Sequence, residues 1–143
     1  MLSYRIALLS LCSVVFVGGG MGCNVNDPDP PVDRVVSFAD EIQPIFTREC
    51  ITCHRDGGLA ANRGIAMRLG EDLSYESIVD QPSSQTAALS LVIPSDSAMS
   101  LLFLKISEND PPVGSTMPLF GVPLSSEDVG LIRDWIDQGA LDN

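Results

Sequence analysis

The stretch Cys50-Ile51-Thr52-Cys53-His54 constrains this chain more than any other. Positions i, i+3 and i+4 of one helical turn share a face. Two thiols held there can add to the two vinyl groups on one edge of a porphyrin. The imidazole one residue further on is then placed below the ring, within reach of the iron. The pattern C-x-x-C-H is the attachment signature of a c-type haem. Cys50 and Cys53 are read as thioether anchors and His54 as the proximal ligand.

Other chemistries use a cysteine pair at this spacing. A structural zinc site needs four Cys or His ligands. The chain has one His and four Cys, and two of these, Cys12 and Cys23, lie far upstream in a segment that reads as an export signal. A thioredoxin-like dithiol sits in a βαβ pattern, and no run of parallel-strand character is present. A structural disulfide between Cys50 and Cys53 remains the competing reading. The single His also means that this chain cannot supply two histidines to one iron.

A formal charge of −11 makes nucleic acid a poor partner. Anionic headgroups would repel such a surface, so membrane contact would need a lipid anchor. A redox partner protein with a basic docking face suits the charge, although solubility alone would also account for it. Lys105 is the single lysine, so the lysine-rich face of some soluble electron carriers is missing.

The first 22 residues read as a lipoprotein-type signal peptide. Arg5 gives a positive start, and Ile6 to Val17 is a mostly apolar run of 12 residues. A spanning helix needs about 18 or more. Gly20-Met21-Gly22-Cys23 follows and resembles a bacterial lipobox, with Gly20 where such signals usually carry Leu. Cys23 is therefore expected to be lipidated and to become the mature N-terminus; conventional cleavage of the signal is the alternative. Export to the bacterial periplasm or cell envelope agrees with the motif, since c-type haem is attached outside the cytoplasm. Residues 23–36, rich in Pro and Asp, read as an extended tether. Residues 37–143 form the expected domain.

Within that domain the spacing predicts helices and no convincing strand. Ser37 heads a capping box with Asp40, followed by Phe38, Ile42, Ile45 and Phe46 at helical spacing; Pro44 is expected to kink this helix. Ser74 is expected to cap a short helix. Met99, Leu102, Phe103 and Ile106 make a further stripe. Ser125, with Asp128 three residues on, opens the last helix, whose stripe is Val129, Ile132 and Ile136. Gly139 is the expected stop, and Gly130 is read as permitting close approach by the first helix. Arg55, Arg63 and Arg68 are candidates to neutralise haem propionates; solvent-facing charge is the simpler role for each.

The distal ligand would be a thioether, from Met67, Met99 or Met117. Met99 lies on a helical stripe, where Met usually fills core. Met67 is only 13 residues past His54. Met117 lies in a loop with Pro111, Pro112, Pro118 and Pro123, which regular structure avoids. Such a loop can cross an open haem face, and Met117 is the expected ligand.

These pieces together resemble a class I monohaem cytochrome c domain, of the kind found in planctomycete and myxobacterial lipoproteins. The resemblance rests on Ile42-Gln43-Pro44-Ile45-Phe46, Cys50-x-x-Cys53-His54 and Gly57-Gly58-Leu59. It continues through Val92-Ile93-Pro94-Ser95-Asp96, Ser100-Leu101-Leu102, Met117-Pro118-Leu119 and Trp135-Ile136-Asp137-Gln138-Gly139-Ala140. Ser95 departs from it, since this group commonly has Gly there. The resemblance implies an all-α fold wrapped around one haem c, His54 and Met117 as axial ligands, and first and last helices that cross behind the haem. It also implies a membrane-tethered electron carrier rather than an enzyme. The alternatives are a haem-based ligand sensor or peroxidase-like domain with an open sixth site, and a non-haem lipoprotein with a disulfide.

Overall fold

A computed structural model describes residues 27–143. The expected signal peptide (1–22), the lipobox and Cys23 lie outside the described residues. Among the described residues the regular structure is helical, with two isolated bridges, Val79 to Val92 and Pro82 to Ser90, and no strand. No helix among them is long and apolar enough to cross a membrane.

The first helix, α1, runs through three contiguous pieces, Phe38–Ile42, Gln43–Ile45 and Phe46–Cys50. The outer two are widened: the amide of Ile42 donates to Ser37 O, and that of Ile51 to Phe46 O, each five residues back. Pro44 supplies the reason, because it has no N–H and its ring crowds the preceding turn. Ser37 caps α1, its hydroxyl accepting from the amide of Asp40 at 3.2 Å. The reciprocal bond comes from Glu41 rather than Asp40: Ser37 N donates to Glu41 Oε2 at 3.0 Å. The extra residue in the widened turn brings Glu41 under the cap.

Short helices follow: α2 (Leu59–Asn62), α3 (Ser74–Ile78), a tight turn at Ser97–Met99, and α4 (Leu101–Ser107). Ser74 is the first residue of α3 rather than its cap, and its buried hydroxyl donates to Gln43 Oε1 in α1. Met99 falls before α4 and is 51% exposed, so the stripe narrows to Leu102, Ile106 and half-buried Phe103.

The last helix, α5 (Ser126–Asp137), is capped by Ser125, whose hydroxyl accepts from Asp128 N at 3.1 Å. It ends in a Schellman motif: Gly139 N bonds Ile136 O and Ala140 N bonds Trp135 O. Gly139, at φ +105°, supplies the left-handed turn this requires. Helix α5 packs on the start of α1, and the Phe38 and Trp135 ring centroids lie 5.2 Å apart. Tyr75 completes the aromatic cluster at 5.3 Å from Phe38.

Half of the expected tether is packed on this framework. Asp29 N donates to Ser126 O at 2.9 Å, Val32 N to Asp134 Oδ2 at 2.8 Å and Val36 N to Gln138 Oε1 at 2.8 Å. Val36 is buried. The stretch is extended, as its Pro content dictates, but from Asp29 on it is a strap along α5. Gly130 makes room for the strap and not for α1: a Cβ there would meet Asp29 N at 3.2 Å and Asp29 O at 3.3 Å.

Candidate functional site

The Cys50 to His54 stretch leaves the C-terminal end of α1 as a tight turn, with Cys53 N and His54 N both bonded to Cys50 O. Two bonds fix what comes next. Gly58 N donates to Arg55 O at 2.9 Å and Ala60 N to Cys53 O at 3.1 Å. A Cβ on Gly58 would lie 2.4 Å from Cys53 O, so only glycine lets the chain fold back this closely. His54 O in turn accepts from Leu69 N at 2.8 Å, which ties the buried Leu69 beneath the motif.

Cys50, Cys53 and His54 are half-buried and open onto one apolar cavity of about 630 Å3. This lies within the usual range of cofactor pockets, roughly 300 to 1,000 Å3. Helix α4 supplies Leu102 and Ile106 to the wall, and the Pro-rich loop supplies Met117 and Leu119. A second hollow of about 640 Å3, between Phe38, Pro44, Arg48 and Asp142, is the more open of the two and contains none of these donors.

Burial governs the electrostatics. It pushes the Cys50 thiol up to about 12, with the negative charge of Glu49 adding to the effect, so this sulfur is a neutral thiol in an apolar wall. Burial also lowers the basicity of His54, opposed by the neighbouring backbone of Met67. Its Nδ1 is buried and makes no hydrogen bond. A neutral imidazole is the form that ligates a metal.

Of the three methionines, Met67 and Met117 line the cavity and Met99 does not. The backbone of Met67 neighbours the imidazole. Met117 comes from the separate loop, held by its amide to Lys105 O. Of the three arginines, Arg63 lines the cavity, whereas Arg68 is paired with Asp56 and Arg55 is exposed. The cation that spacing and composition did not assign to the site is Lys105, which is 6% exposed and lies in the cavity wall. Its place on the buried side of α4, one residue before Ile106 in the apolar stripe, was the available signal.

The chain matches no protein-family profile and no curated protein. Among solved structures, hydrazine synthase from Kuenenia stuttgartiensis superposes with a TM-score of 0.50 and 24% identity over 75% of this chain. The likeness is one of fold. The chain covers 16% of the length of that hydrazine synthase chain.

The donor set fits a haem. Two thiols and a neutral imidazole share one wall of an apolar cavity, and a thioether reaches it from a different segment.

Proposed function

We propose that this chain holds one covalent haem c and serves as a one-electron carrier of the class I cytochrome c type. Cys50 and Cys53 would be the thioether anchors, and His54 and Met117 the axial ligands. The observation that carries the reading is the convergence of these four side chains on one cavity. Met67 and Met117 both line the cavity; Met117, carried by a loop far from His54 in the chain, is the thioether taken as the second ligand.

The haem would supply one reversible electron-transfer site, with His/Met ligation favouring a raised potential. The chain's own residues do the rest. Leu102, Ile106 and Leu119 line the cavity and would keep water from the group held there. If His54 and Met117 both held the iron, no position would be left for a substrate, which favours a carrier over a sensor or peroxidase. The α1 and α5 contact, with Phe38 against Trp135, packs the start of the helix whose other end carries Cys50.

The same proposal places the protein in the bacterial envelope, exported by residues 1–22 and anchored by lipid on Cys23. The net charge of −11 suits a redox partner with a basic face.

Intact mass of the exported, denatured protein tests the haem, since a covalent porphyrin survives unfolding. Spectra of the ferric protein test the ligation through a sulfur-to-iron charge-transfer band. A colourless exported protein of unmodified mass overturns the reading. Rapid carbon monoxide binding to the reduced protein would instead give the open-site reading.

A further inference from the structure

Lys105 is buried in the cavity wall without a counter-charge. The ion pairs among the described residues are made by Arg34, Arg48, Arg68 and Arg133, and none by Lys105. Its Nζ donates to Ser115 O at 3.2 Å. An ammonium has three N–H donors, so one carbonyl leaves capacity over. A buried charge is costly unless paired, and the cavity is where a partner would come from.

A second donor converges on the same point. Gly114 stands at φ +67°, and the place a Cβ would take there is 2.7 Å from Lys105 Nζ and 3.0 Å from Gln85 Nε2. Gln85, Lys105, Gly114 and Ser115 all line the cavity. A cationic and a neutral N–H donor therefore meet beside a residue that lacks a side chain. Donors so arranged suit a carboxylate, because charge-assisted hydrogen bonds are the stronger kind.

We propose that Lys105 and Gln85 form a carboxylate clamp at the Gly114 end of the cavity, taking one propionate of the porphyrin. The proposal rests on the haem reading above and adds a role to the chain's single lysine. It also links that carboxylate to the ligand loop, since Met117 N is bonded to Lys105 O. Arg63, from a different segment, remains as a more exposed cation lining the same cavity.

The test uses exported, purified holoprotein of wild type, Lys105→Met, Lys105→Arg and Gln85→Leu. Each is measured for covalent haem, for midpoint potential, and for the propionate bending band in resonance Raman spectra. Lys105→Met should shift the propionate band and lower the potential, because a cation paired with a haem carboxylate would disfavour the oxidised state. The sulfur-to-iron band should persist, which separates loss of the clamp from loss of Met117. Lys105→Arg should restore most of both values, and Gln85→Leu should shift the propionate band by less. A Lys105→Met holoprotein with wild-type potential and propionate band overturns the clamp and leaves the haem reading standing. If Lys105→Met yields no holoprotein, the exposed Gln85→Leu variant decides, and an unmoved band there overturns the clamp. A wild type without covalent haem overturns both.

Discussion

The amide of Met117 donates to the carbonyl of Lys105 at 2.7 Å. Helix α4 ends at Ser107, so its last carbonyls have no partner within the helix. The Pro-rich loop supplies one for Lys105 O. Just past the helix, Thr116 Oγ1 shares its one proton between Glu108 O at 2.9 Å and Asn109 O at 3.0 Å. The segment that carries the expected ligand is thus also the C-terminal cap of the helix that walls the cavity. Position of the thioether and integrity of α4 are set by the same bonds.

Replacement of Met117 by Ala should abolish the ferric sulfur-to-iron band and lower the potential, whereas Met67→Ala should keep the band. Thr116→Val removes the donor that holds the loop, at about 0.5–1.5 kcal/mol for a hydrogen bond. In that variant the band should be present at low temperature and fade on heating before it does in the wild type. Absorbance followed through a thermal ramp reads all three.

Gly58 is the narrowest point of the motif. Gly58→Ala places a methyl group 2.4 Å from Cys53 O, and backbone cannot yield as a flexible side chain would. The expected cost is about 1–3 kcal/mol, as for other overpacked sites, together with a lower fraction of protein carrying covalent haem. Gly57→Ala is the comparison. A Cβ there meets nothing within 4 Å, and its φ of +69° adds only local backbone strain. Chemical denaturation of the two variants should rank Gly58→Ala as the more damaging.

The parts legible in the sequence are those whose signal is local. Ser37 and Ser125 cap their helices, and Gly139 ends α5, because each bond spans three to five residues. The C-x-x-C-H spacing likewise fixes a turn by itself. What could not be read is where one segment lies on another. Pro and Asp in residues 29–36 announce extended chain, yet say nothing of the α5 groove that receives it. Gly130 was visible as an oddity in a helix, but its neighbour turned out to be Asp29. The stripe through Met99 met the same limit: Ser100 is extended, so the helix starts at Leu101 and Met99 turns outward. Composition shows that Lys105 is the single lysine, but it cannot tell a buried ammonium from an exposed one.

Ser95 tests how far the local signal reaches. It departs from the glycine common in the group this chain resembles, and it sits at φ +66°. A left-handed conformation costs a non-glycine residue roughly 1–2 kcal/mol, offset in part by the extra freedom glycine has when unfolded. Its amide still bonds Ile136 O at 2.7 Å, a bond glycine would keep. Ser95→Gly should therefore raise stability by up to about 1 kcal/mol, seen as a higher denaturation midpoint with unchanged slope.

Glu41 gives α1 a dependence on acid. Its carboxylate accepts from Arg34 at 2.6 and 2.7 Å and from Ser37 N. The bond to Arg34 holds its carboxyl below the ordinary 4.5, with Ser37 N adding to the effect and burial opposing it. A group depressed in the folded state stabilises it above its unfolded value and loses that contribution as pH falls through the folded one. The wild type should lose stability between about pH 5 and 3 more steeply than Glu41→Gln. Parallel melting curves across that range, with the variant less stable at neutral pH and the two converging in acid, are the expected outcome.

The strap decides where the folded unit begins. A chain that starts at Ser37, as the Pro-rich composition suggests it could, would lose Val36 from the core and the bond from Val32 N to Asp134 Oδ2. Asp134 is 4% exposed, and a buried carboxylate that loses a donor is costly, about 1–3 kcal/mol. Val36 adds the loss of a buried apolar side chain, roughly 1.5–3 kcal/mol. A truncation at Ser37 should therefore unfold at distinctly lower denaturant than a chain starting at Asp27, with the same haem spectrum. Gly130→Ala in the longer chain should reproduce part of that loss by lifting the strap at Asp29, and should have far less effect in the truncated chain. Equal stabilities of the two chain lengths would return residues 29–36 to the role of a tether.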